Sequence, residues 1–354
     1  ILQFAPPIVL IYLGLMLLCT VKLWDLESTS AVYSAVKNPV LYAMLFIMLL
    51  RCDLKKIVKL GPKMLIGFFA ASISIGLGFV VSFAVFKGSL GQEAWKAMGA
   101  LCGSWMGGGG NMLAIQAALN VSEDAMAYAL VMDSICGTFY VMFLLWAIGF
   151  NAWTKADTRA IDEVGAALEE EARTSTKPLV WQNILILVGA GFLVSAVSQE
   201  LGVRINQVLP VFDKATWTVL VVTVLGVVLA MTPFGKLKGT EEISNAMLYI
   251  VIALIASRAD LSTMGNAHIW LAAGILIIVI HVAVMVILAK VLKMDIFTCA
   301  VASLANIGGT ATAPVLAGAY SSALVPVGIV MALLGYVIGT GGGLLVANLM
   351  RLLG

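Results

Sequence analysis

Residues 99–114 read GALCGSWMGGGGNMLA and residues 300–315 read AVASLANIGGTATAPV, so a glycine-rich break interrupts an apolar stretch twice in this chain. The tetrapeptide Arg-Cys-Asp-Leu at 51–54 is likewise echoed by Arg-Ala-Asp-Leu at 258–261. Hydrophobic segments broken at corresponding places in two halves are typical of secondary transporters. The repeated break therefore predicts a membrane carrier with its site where the two breaks meet.

The composition places the chain in a lipid bilayer. Of its 354 residues, 61% are hydrophobic and 11% are charged, whereas a soluble domain is about 25% charged. The net charge of +2 argues against nucleic-acid binding, and the five cysteines have no spacing that indicates a disulfide framework or a zinc site. We expect an integral multi-pass protein of a bacterial-type inner (plasma) membrane, with lipid around it and no cofactor.

Crossing a bilayer takes about 20 helical residues, or fewer where the flanks snorkel. Nine apolar stretches suit this length, and the two glycine-broken segments come in addition. The sequence predicts an all-α polytopic fold with crossings at Phe4–Val21, Asn38–Leu50, Met64–Phe86, Ala125–Phe150, Trp181–Gln199, Thr216–Met231, Ser244–Ser257, Ala267–Ala289 and Ala323–Met350, and broken segments at Gln92–Leu119 and Ile296–Ala319.

A polar stretch divides the chain into two halves. We predict a first repeat over residues 1–150 with a hairpin around 92–119, and a second repeat over 181–354 with a hairpin around 296–319. Residues 151–180 between them are interpreted as a solvated, Ala- and Glu-rich linker.

The basic loops distinguish two arrangements of the broken segments. The loops near Arg51, Lys236 and Lys290 should all face the cytoplasm. If each broken segment crosses the membrane, the last two loops fall outside. If each dips in and returns as a re-entrant hairpin, all three fall inside and the two repeats are inverted. We therefore favour re-entrant hairpins in inverted repeats, with crossed broken helices as the alternative.

Both breaks are candidate substrate-binding elements. Glycines let the backbone adopt positive φ and approach a ligand, and a helix that starts after each break directs unpaired N–H groups at an anion. Close helix packing is the alternative reading of the glycines. The substrate-binding candidates are Gly107, Gly108, Gly109, Gly110, Asn111, Gly308, Gly309, Thr310 and Thr312.

Asp133 is the strongest candidate for ion coupling. It lies deep in a predicted crossing, where a carboxylate is costly unless a cation or a proton neutralises it. A purely structural, capped carboxylate is the alternative, and the same two readings apply to His281 as a proton relay or a neutral buried side chain. The ion-coupling candidates are Asp133, with a possible Na⁺, its neighbours Ser134 and Thr138, and the carbonyl groups around Ser104 and Asn306.

The Arg-x-Asp-Leu pairs are interpreted as structural ion pairs at helix ends. Together with the two glycine breaks and the chain length, these motifs resemble the YjcL-like membrane proteins, grouped as domain of unknown function 819. More distantly, the plan is similar to sodium/glutamate and sodium/citrate symporters. The resemblance implies a homodimer in which a scaffold holds an elevator-like core, with the tips at 107–111 and 308–312 binding substrate and ion.

One departure from the symporter pattern concerns the substrate. The His associated with the glutamate-symporter tip is absent, since Gly109 and Thr310 follow the two Gly-Gly pairs. The function predicted is Na⁺- or H⁺-coupled symport of a small organic anion, such as a carboxylate, an amino-acid-like molecule or a short peptide.

Three other classes of protein stay open. A cation/proton antiporter would usually place a second carboxylate or Lys beside Asp133, and none is near it in sequence. An enzyme is less favoured, because the chain has two His and neither has a Cys or carboxylate at ligand spacing. A purely structural protein would show no ion dependence.

Overall fold

The computed structural model describes most of the chain, namely residues 7–147, 180–211, 214–260, 262, 265–292, 294–320 and 324–354. These residues contain helices and no strand. Apart from Val180, the predicted linker at 151–180 lies outside the described residues.

Fourteen α-helices and one short 3-10 helix, Pro233–Lys236, make up the described fold. The helices are α1 (Pro7–Thr20), α2 (Ser30–Leu49), α3 (Leu54–Lys59), α4 (Gly61–Leu90), α5 (Ala94–Gly107), α6 (Gly109–Leu119), α7 (Glu123–Ala147), α8 (Trp181–Val208), α9 (Lys214–Ala230), α10 (Thr240–Ala256), α11 (Ala267–Val291), α12 (Ile296–Ile307), α13 (Gly309–Tyr320) and α14 (Val325–Leu353).

Each of the nine predicted crossings is a helix. Six of them, α2, α4, α7, α8, α11 and α14, are long and apolar enough to cross a membrane. Two extend furthest beyond the predicted bounds, since α2 begins at Ser30 and not at Asn38, and α8 continues past Gln199 to Val208. The added turns carry charged side chains such as Lys37 and Arg204, so hydropathy alone does not mark them. The short helix α3 was missed for the same reason.

The chain reverses direction at each glycine break. In the first, the side chain of Ile115 lies so close to Gly103 that a methyl group on this glycine would overlap it. In the second, the rings of Phe297 and Tyr320, near the far ends of α12 and α13, have centroids 4.8 Å apart. Both contacts require antiparallel helices. We call α5 with α6 hairpin 1, and α12 with α13 hairpin 2.

The helices pack in two groups. The outer group contains α1, α2, α8, α9 and α10, whereas α4, α7, α11 and α14 surround the two hairpins and form the hairpin group with them. The packing is reciprocal between the halves, because α1 packs on α10 as α9 packs on α2, and α4 packs on α14 as α11 packs on α7. Helix α6 also contacts α2 and α9, so hairpin 1 touches both groups.

Two ion pairs define one end of the helix bundle. Arg51, after α2, pairs with Glu241 of α10 at 2.9 Å, and Lys63 of α4 pairs with Asp295 before α12 at 2.7 Å. We call this the basic end, because it gathers the described lysines of three loops: Lys55, Lys59, Lys63, Lys236, Lys238 and Lys290.

The hairpins enter the bundle from opposite ends. Hairpin 2 starts at the basic end, next to Lys63 at the beginning of α4. Helix α4 then runs 30 residues, about 45 Å at 1.5 Å per residue, before hairpin 1 starts at Ala94. At this opposite end, Trp24 donates to the carbonyl of Ser257 at 2.9 Å, joining the outer group's loops.

The Arg-x-Asp-Leu motifs do not form the internal ion pair that the sequence suggested in the first half. Arg51 pairs with Glu241 instead, and the Asp53 carboxylate caps α3. In the second half, Arg258 donates to the carbonyl of Leu26 at 2.9 Å. Both arginines therefore join separate segments at the ends of the bundle.

A seam of glycines brings α5 and α14 into backbone contact. On each helix the glycines recur every four residues, and a Cβ atom at any of them would meet the facing backbone or a side chain packed beside it. Small residues at this spacing let two helices approach closely in a membrane. The pairs run antiparallel, Gly99 with Gly343, Gly103 with Gly339, and Gly107 with Gly335.

An acidic residue closes the base of hairpin 1. Glu93, just before α5, accepts a hydrogen bond from the Ser122 hydroxyl at 2.5 Å and pairs with Lys96 at 2.9 Å. Burial raises the pKa of Glu93, but the hydrogen bonds from Lys96 and Ser122 outweigh burial and hold it below its ordinary value. Since Ser122 precedes α7, Glu93 ties the two ends of the hairpin together.

Asp295 is the acidic residue at the base of hairpin 2, where it joins the start of α12 to α4. Its carboxylate accepts from the Thr298 amide at 2.6 Å, which caps α12, and pairs with Lys63 of α4. Burial raises the pKa of Asp295, but the contacts with Lys63 and Thr298 outweigh burial, so the pKa lies below its ordinary value. The charged form of Asp295 therefore stabilises the fold.

Replacing Asp295 by Ala should lower the unfolding free energy by about 1 kcal/mol, because α12 loses its N-cap. A carboxylate with a lowered pKa stabilises the fold above its ordinary titration range, and this stabilisation is lost as the pH falls through the lowered pKa, below about pH 4. Thermal unfolding of the purified chain in detergent, from neutral to acidic pH, measures both effects. Asp53→Ala, which removes the cap of the six-residue helix α3, is the control. Equal losses of unfolding free energy in Asp295→Ala and Asp53→Ala would contradict the assignment of Asp295 as the more stabilising cap.

Candidate functional site

The two glycine breaks meet inside the hairpin group. Gly108, with φ 89°, separates α5 from α6, and Gly309, with φ 59°, opens α13. Both angles lie in the left-handed region that glycine adopts without strain. A Cβ atom on Gly309 would lie 4.0 Å from the Cα of Gly108. The tips of the two hairpins are therefore in contact, as the sequence predicted.

Two helix starts converge where the tips meet. Helices α6 and α13 begin at Gly109 and Gly309. The first N–H groups of a helix lack partners within it, and the helix dipole adds partial positive charge. A pair of such starts is suited to an anion such as a carboxylate.

The glycines of the first tip make different contacts. Gly107 belongs to the seam with α14, whereas Gly110 packs on the Met48 side chain of α2 and Gly109 faces Leu248 of α10. The first tip therefore touches the outer group on one side and hairpin 2 on the other.

Tyr336 of α14 contacts both tips. Its hydroxyl hydrogen-bonds with the Thr310 hydroxyl at 2.9 Å, and a Cβ on Gly108 would lie 3.4 Å from its ring. Sequence reasoning missed Tyr336, because a tyrosine within an unbroken apolar span gives no signal before the fold places it beside the breaks.

Asn111 fastens hairpin 1 to α14. It is 1% exposed, and its amide nitrogen donates to the carbonyls of Gly107 at 2.7 Å and Gly335 at 3.3 Å. Its amide oxygen accepts from the Thr340 hydroxyl at 2.7 Å. Both amide N–H groups are thus used within the protein, and Asn111 stabilises the hairpin.

Asn306 fastens hairpin 2 to α4 in the same way. Its amide nitrogen donates to the carbonyls of Ala302 at 2.9 Å and Phe68 at 3.3 Å, and its oxygen accepts from the Ser72 hydroxyl at 2.7 Å. Each hairpin thus carries one buried Asn that binds a carbonyl and a hydroxyl of one neighbouring helix. Sequence reasoning selected both asparagines without foreseeing these partners.

Thr312 presents a polar group without a partner. Its hydroxyl oxygen is buried and, within the part of the chain that the structure describes, makes no hydrogen bond. It packs beside Gly308 at the second tip. Since leaving a buried hydroxyl unpaired costs about 1–3 kcal/mol, Thr312 is the tip side chain best placed to accept a ligand.

Asp133 is hydrogen-bonded to α5, the first helix of hairpin 1. Its Oδ1 accepts from the indole N–H of the fully buried Trp105 at 2.7 Å, and the Ser104 side chain also interacts with this carboxylate. The carboxylate is half-buried. Asp133 and Ser104, both predicted, are therefore neighbours, and α7 is linked to the segment that ends at the first tip.

The other predicted ion ligands lie elsewhere. The Ser134 hydroxyl donates to the Leu130 carbonyl of its own helix at 2.8 Å, and Thr138 is on an exposed face of α7. The Ser104 carbonyl accepts from the Gly108 amide at 2.5 Å, which ends α5. The structure therefore groups Asp133 with Ser104 and leaves Ser134, Thr138 and Asn306 apart from them.

His281 lies in a buried chain of hydroxyl groups, not against a backbone carbonyl. Its Nδ1 is 2.6 Å from the Ser74 hydroxyl, and its Nε2 is 2.7 Å from the Ser303 hydroxyl. Ser303 is in turn 2.6 Å from the Tyr140 hydroxyl. The chain joins α4, α11, α12 and α7 within the hairpin group.

The directions of the hydrogen bonds around His281 follow from the Ser74 hydroxyl, whose donor role is fixed. Ser74 donates its single hydroxyl hydrogen to the Ala71 carbonyl at 2.7 Å, so the Ser74 oxygen accepts from Nδ1–H of His281. In a neutral imidazole Nε2 then accepts from Ser303, and Ser303 accepts from Tyr140. A neutral His281 therefore satisfies every hydroxyl in this chain.

Long apolar helices, two antiparallel hairpins with glycine tips, and basic residues gathered at one end define an integral multi-pass membrane protein. The comparison with known families agrees. The chain belongs to the family described as "Protein of unknown function (DUF819)", whose model matches residues 1–353. It is 23% identical to the "Uncharacterized membrane protein YjcL" of Bacillus subtilis (strain 168) over 355 residues, which cover 95% of this chain and 87% of that protein.

Adding a methyl group to the glycine seam should displace hairpin 1. A Cβ at Gly339 would lie 2.7 Å from the Asn111 amide nitrogen and 2.9 Å from the Gly103 carbonyl oxygen. We expect Gly339→Ala to destabilise the protein by about 1–3 kcal/mol through overpacking. Gly341→Ala, on the same helix, is the matched control, because nothing lies within 4 Å of its Cβ. Thermal unfolding in detergent compares the two variants. Similar unfolding midpoints would contradict the tight packing of Gly339 in the glycine seam.

Proposed function

We propose that this protein is a secondary active transporter that couples uptake of a small organic anion to Na⁺ or H⁺. The observation that carries the proposal is the contact between Gly108 and Gly309, where two helix starts converge inside a bundle of apolar helices. Broken helices that direct their N-terminal ends at one buried point are the binding elements of secondary transporters. The anion would carry a carboxylate, as in an amino-acid-like molecule or a short peptide.

The halves are proposed to be inverted repeats. In support, their helices pack reciprocally, and the two hairpins enter from opposite ends and meet tip to tip. The loops near Arg51, Lys236 and Lys290 lie at one end, which the positive-inside rule assigns to the cytoplasm of an inner membrane. Both hairpins are then re-entrant, because each returns to the end from which it came.

An elevator-like motion of the hairpin group against the outer group is proposed to give alternating access. The first tip packs on Met48 and Leu248 of the outer group, so this boundary passes through the candidate site. Helices α1, α8 and α9 are proposed to serve as the scaffold, and a homodimer through them is the proposed assembly. Helix α8 supports this assignment with the exposed apolar residues Trp181, Leu185, Phe192, Leu193 and Val197.

Asp133 is proposed to bind the coupling ion. A carboxylate inside the membrane is costly unless it is neutralised. Its hydrogen bond from Trp105 connects its charge to α5, the arm that ends at the first tip. Neutralising Asp133 would thus change the contact between α7 and hairpin 1, the hairpin proposed to close on the anion.

Asp133→Asn should abolish gradient-driven uptake and leave folding intact, because a neutral amide is cheaper to bury than a carboxylate and keeps its shape. Flux into proteoliposomes, with and without a Na⁺ or H⁺ gradient and against a panel of carboxylates and short peptides, is the measurement. Asp124→Asn, which removes a charge in the first turn of the same helix, is the control. Concentrative uptake by Asp133→Asn with an unchanged ion requirement would return Asp133 to a structural role.

Thr312→Ala should weaken substrate affinity about tenfold with the ion dependence preserved, since a hydrogen bond to a charged ligand is worth about 1.5–3 kcal/mol. Uptake as a function of substrate concentration measures this loss. Thr138→Ala, on the exposed face of α7, is the matched control. Asn111→Ala should instead lower stability together with affinity, because it leaves the Thr340 hydroxyl and the Gly335 carbonyl without their partner. Equal affinities of wild type and Thr312→Ala would remove Thr312 from the site.

A further inference from the structure

A cavity lies away from the hairpin tips, at the boundary between the two helix groups. It has a volume of about 510 Å³ and is walled by α2, α8 and α9 of the outer group and by the end of α6 and the start of α7. Ligand sites occupy about 300–1,000 Å³, so a small molecule or a lipid headgroup fits. The cavity is at the end opposite the basic end, where hairpin 1 has its base.

Lys37 brings a positive charge to this cavity, and its ion-pair partner Glu123 is shared with Tyr33. Its side chain is 13% exposed, and its ammonium is 3.6 Å from Oε1 of Glu123, an ion-pair distance longer than a hydrogen bond. That oxygen already accepts from the Tyr33 hydroxyl at 2.6 Å, and the Lys37 ammonium lies 5.1 Å from the centre of the Tyr33 ring. Among the residues with described placement, no other acceptor lies within hydrogen-bonding distance of the ammonium.

Gln116 brings a second unsatisfied group to the same cavity. It is 1% exposed, and neither its amide oxygen nor its amide nitrogen has a hydrogen-bond partner in the described chain. Buried polar groups are nearly always paired in native proteins. A carboxamide without partners, beside an ammonium whose one ion-pair partner is shared, therefore indicates a ligand that supplies an anionic oxygen together with a donor and an acceptor.

The charges on the wall limit the charge of the ligand. The ionisable lining residues are Lys37, Lys214 and Glu123, which carry two positive charges and one negative charge. The net charge of +1 matches a monoanion, and the Glu123 carboxylate disfavours a dianion. Asn38 and Asn120 also line the cavity and add polar groups that suit hydroxyls.

We propose that this cavity is a second binding site for a monoanion whose carboxylate or phosphodiester binds Lys37 and whose hydroxyl groups satisfy Gln116. A small hydroxy acid and a glycerol-type phospholipid headgroup share this chemistry. Because the walls belong to both helix groups, a bound anion holds α6 against α2 and α9 and restrains their relative movement.

The test measures thermal unfolding of the full chain with three probes: glycerate, water-soluble glycerophosphoglycerol, and phosphatidylglycerol in nanodiscs compared with phosphatidylcholine. Saturable stabilisation by a soluble probe, or by phosphatidylglycerol alone, supports the site and identifies its source. Lys37→Met should raise the half-saturating concentration about tenfold or more, since a charged hydrogen bond is lost. Lys55→Met, which removes an exposed lysine at the basic end, is the matched control.

Gln116→Leu provides a second, independent readout. Because the substitution removes an unpaired buried amide, the variant without probe should be at least as thermostable as wild type, while its affinity for the probes falls. Lower stability without probe would show that the amide is already satisfied and would overturn the proposal. So would the absence of saturable stabilisation by any probe, or equal losses in Lys37→Met and Lys55→Met. Asp133→Asn should bind the probes as wild type does, so this test stands apart from transport.

Discussion

Backbone polar groups freed inside an apolar bundle must find partners, and this constraint determines how the glycine breaks are built. Lipid offers no hydrogen bonds, so a broken helix is tolerated only where the protein supplies them. Asn111 and Asn306 each span the gap between a hairpin and a straight helix, binding one carbonyl and one hydroxyl on the neighbour. Without such side chains, polar groups near the glycine tips would stay buried without partners. Each unpaired group would cost about 1–3 kcal/mol.

The same two asparagines divide the hairpin group into fixed and adjustable contacts. Each hairpin is attached near its tip to one long helix, hairpin 1 to α14 and hairpin 2 to α4. The chain of hydroxyls around His281 adds a second connection, between hairpin 2 and helices α4, α7 and α11. Where the tips meet, by contrast, Gly108 approaches Gly309, and Thr310 hydrogen-bonds with Tyr336 of α14. Among the described residues, fewer hydrogen bonds hold the junction between the tips than attach either hairpin to its long helix.

Hydropathy and glycine content were enough to predict the crossings, the two breaks and their meeting, because a bilayer imposes helix length and glycine marks irregular backbone. Hydropathy and glycine content could not show which side chains contact each other. The predicted Arg51–Asp53 pair is wrong because Glu241, distant in sequence, lies nearer to the guanidinium once α2 and α10 pack together. Thr138 is exposed because it lies on a different face of α7 from Asp133, which periodicity could have indicated. The roles of Tyr336, of Lys37 with its partner Glu123, and of the unpaired Gln116 became visible only through contacts between distant helices, which a single sequence does not indicate.

The antiparallel seam of α5 and α14 also sets the register of hairpin 1 along α14. Gly99, Gly103 and Gly107 face their three counterparts at four-residue spacing, and the residues between them on α5 carry larger side chains. A small slip along α14 would drive such a side chain into the facing backbone. A shift by four residues, about 6 Å at 1.5 Å per residue, would bring only two of the three glycines opposite a glycine again. The observed register is therefore the one in which all three glycine pairs face each other and Asn111 reaches Gly335 and Thr340.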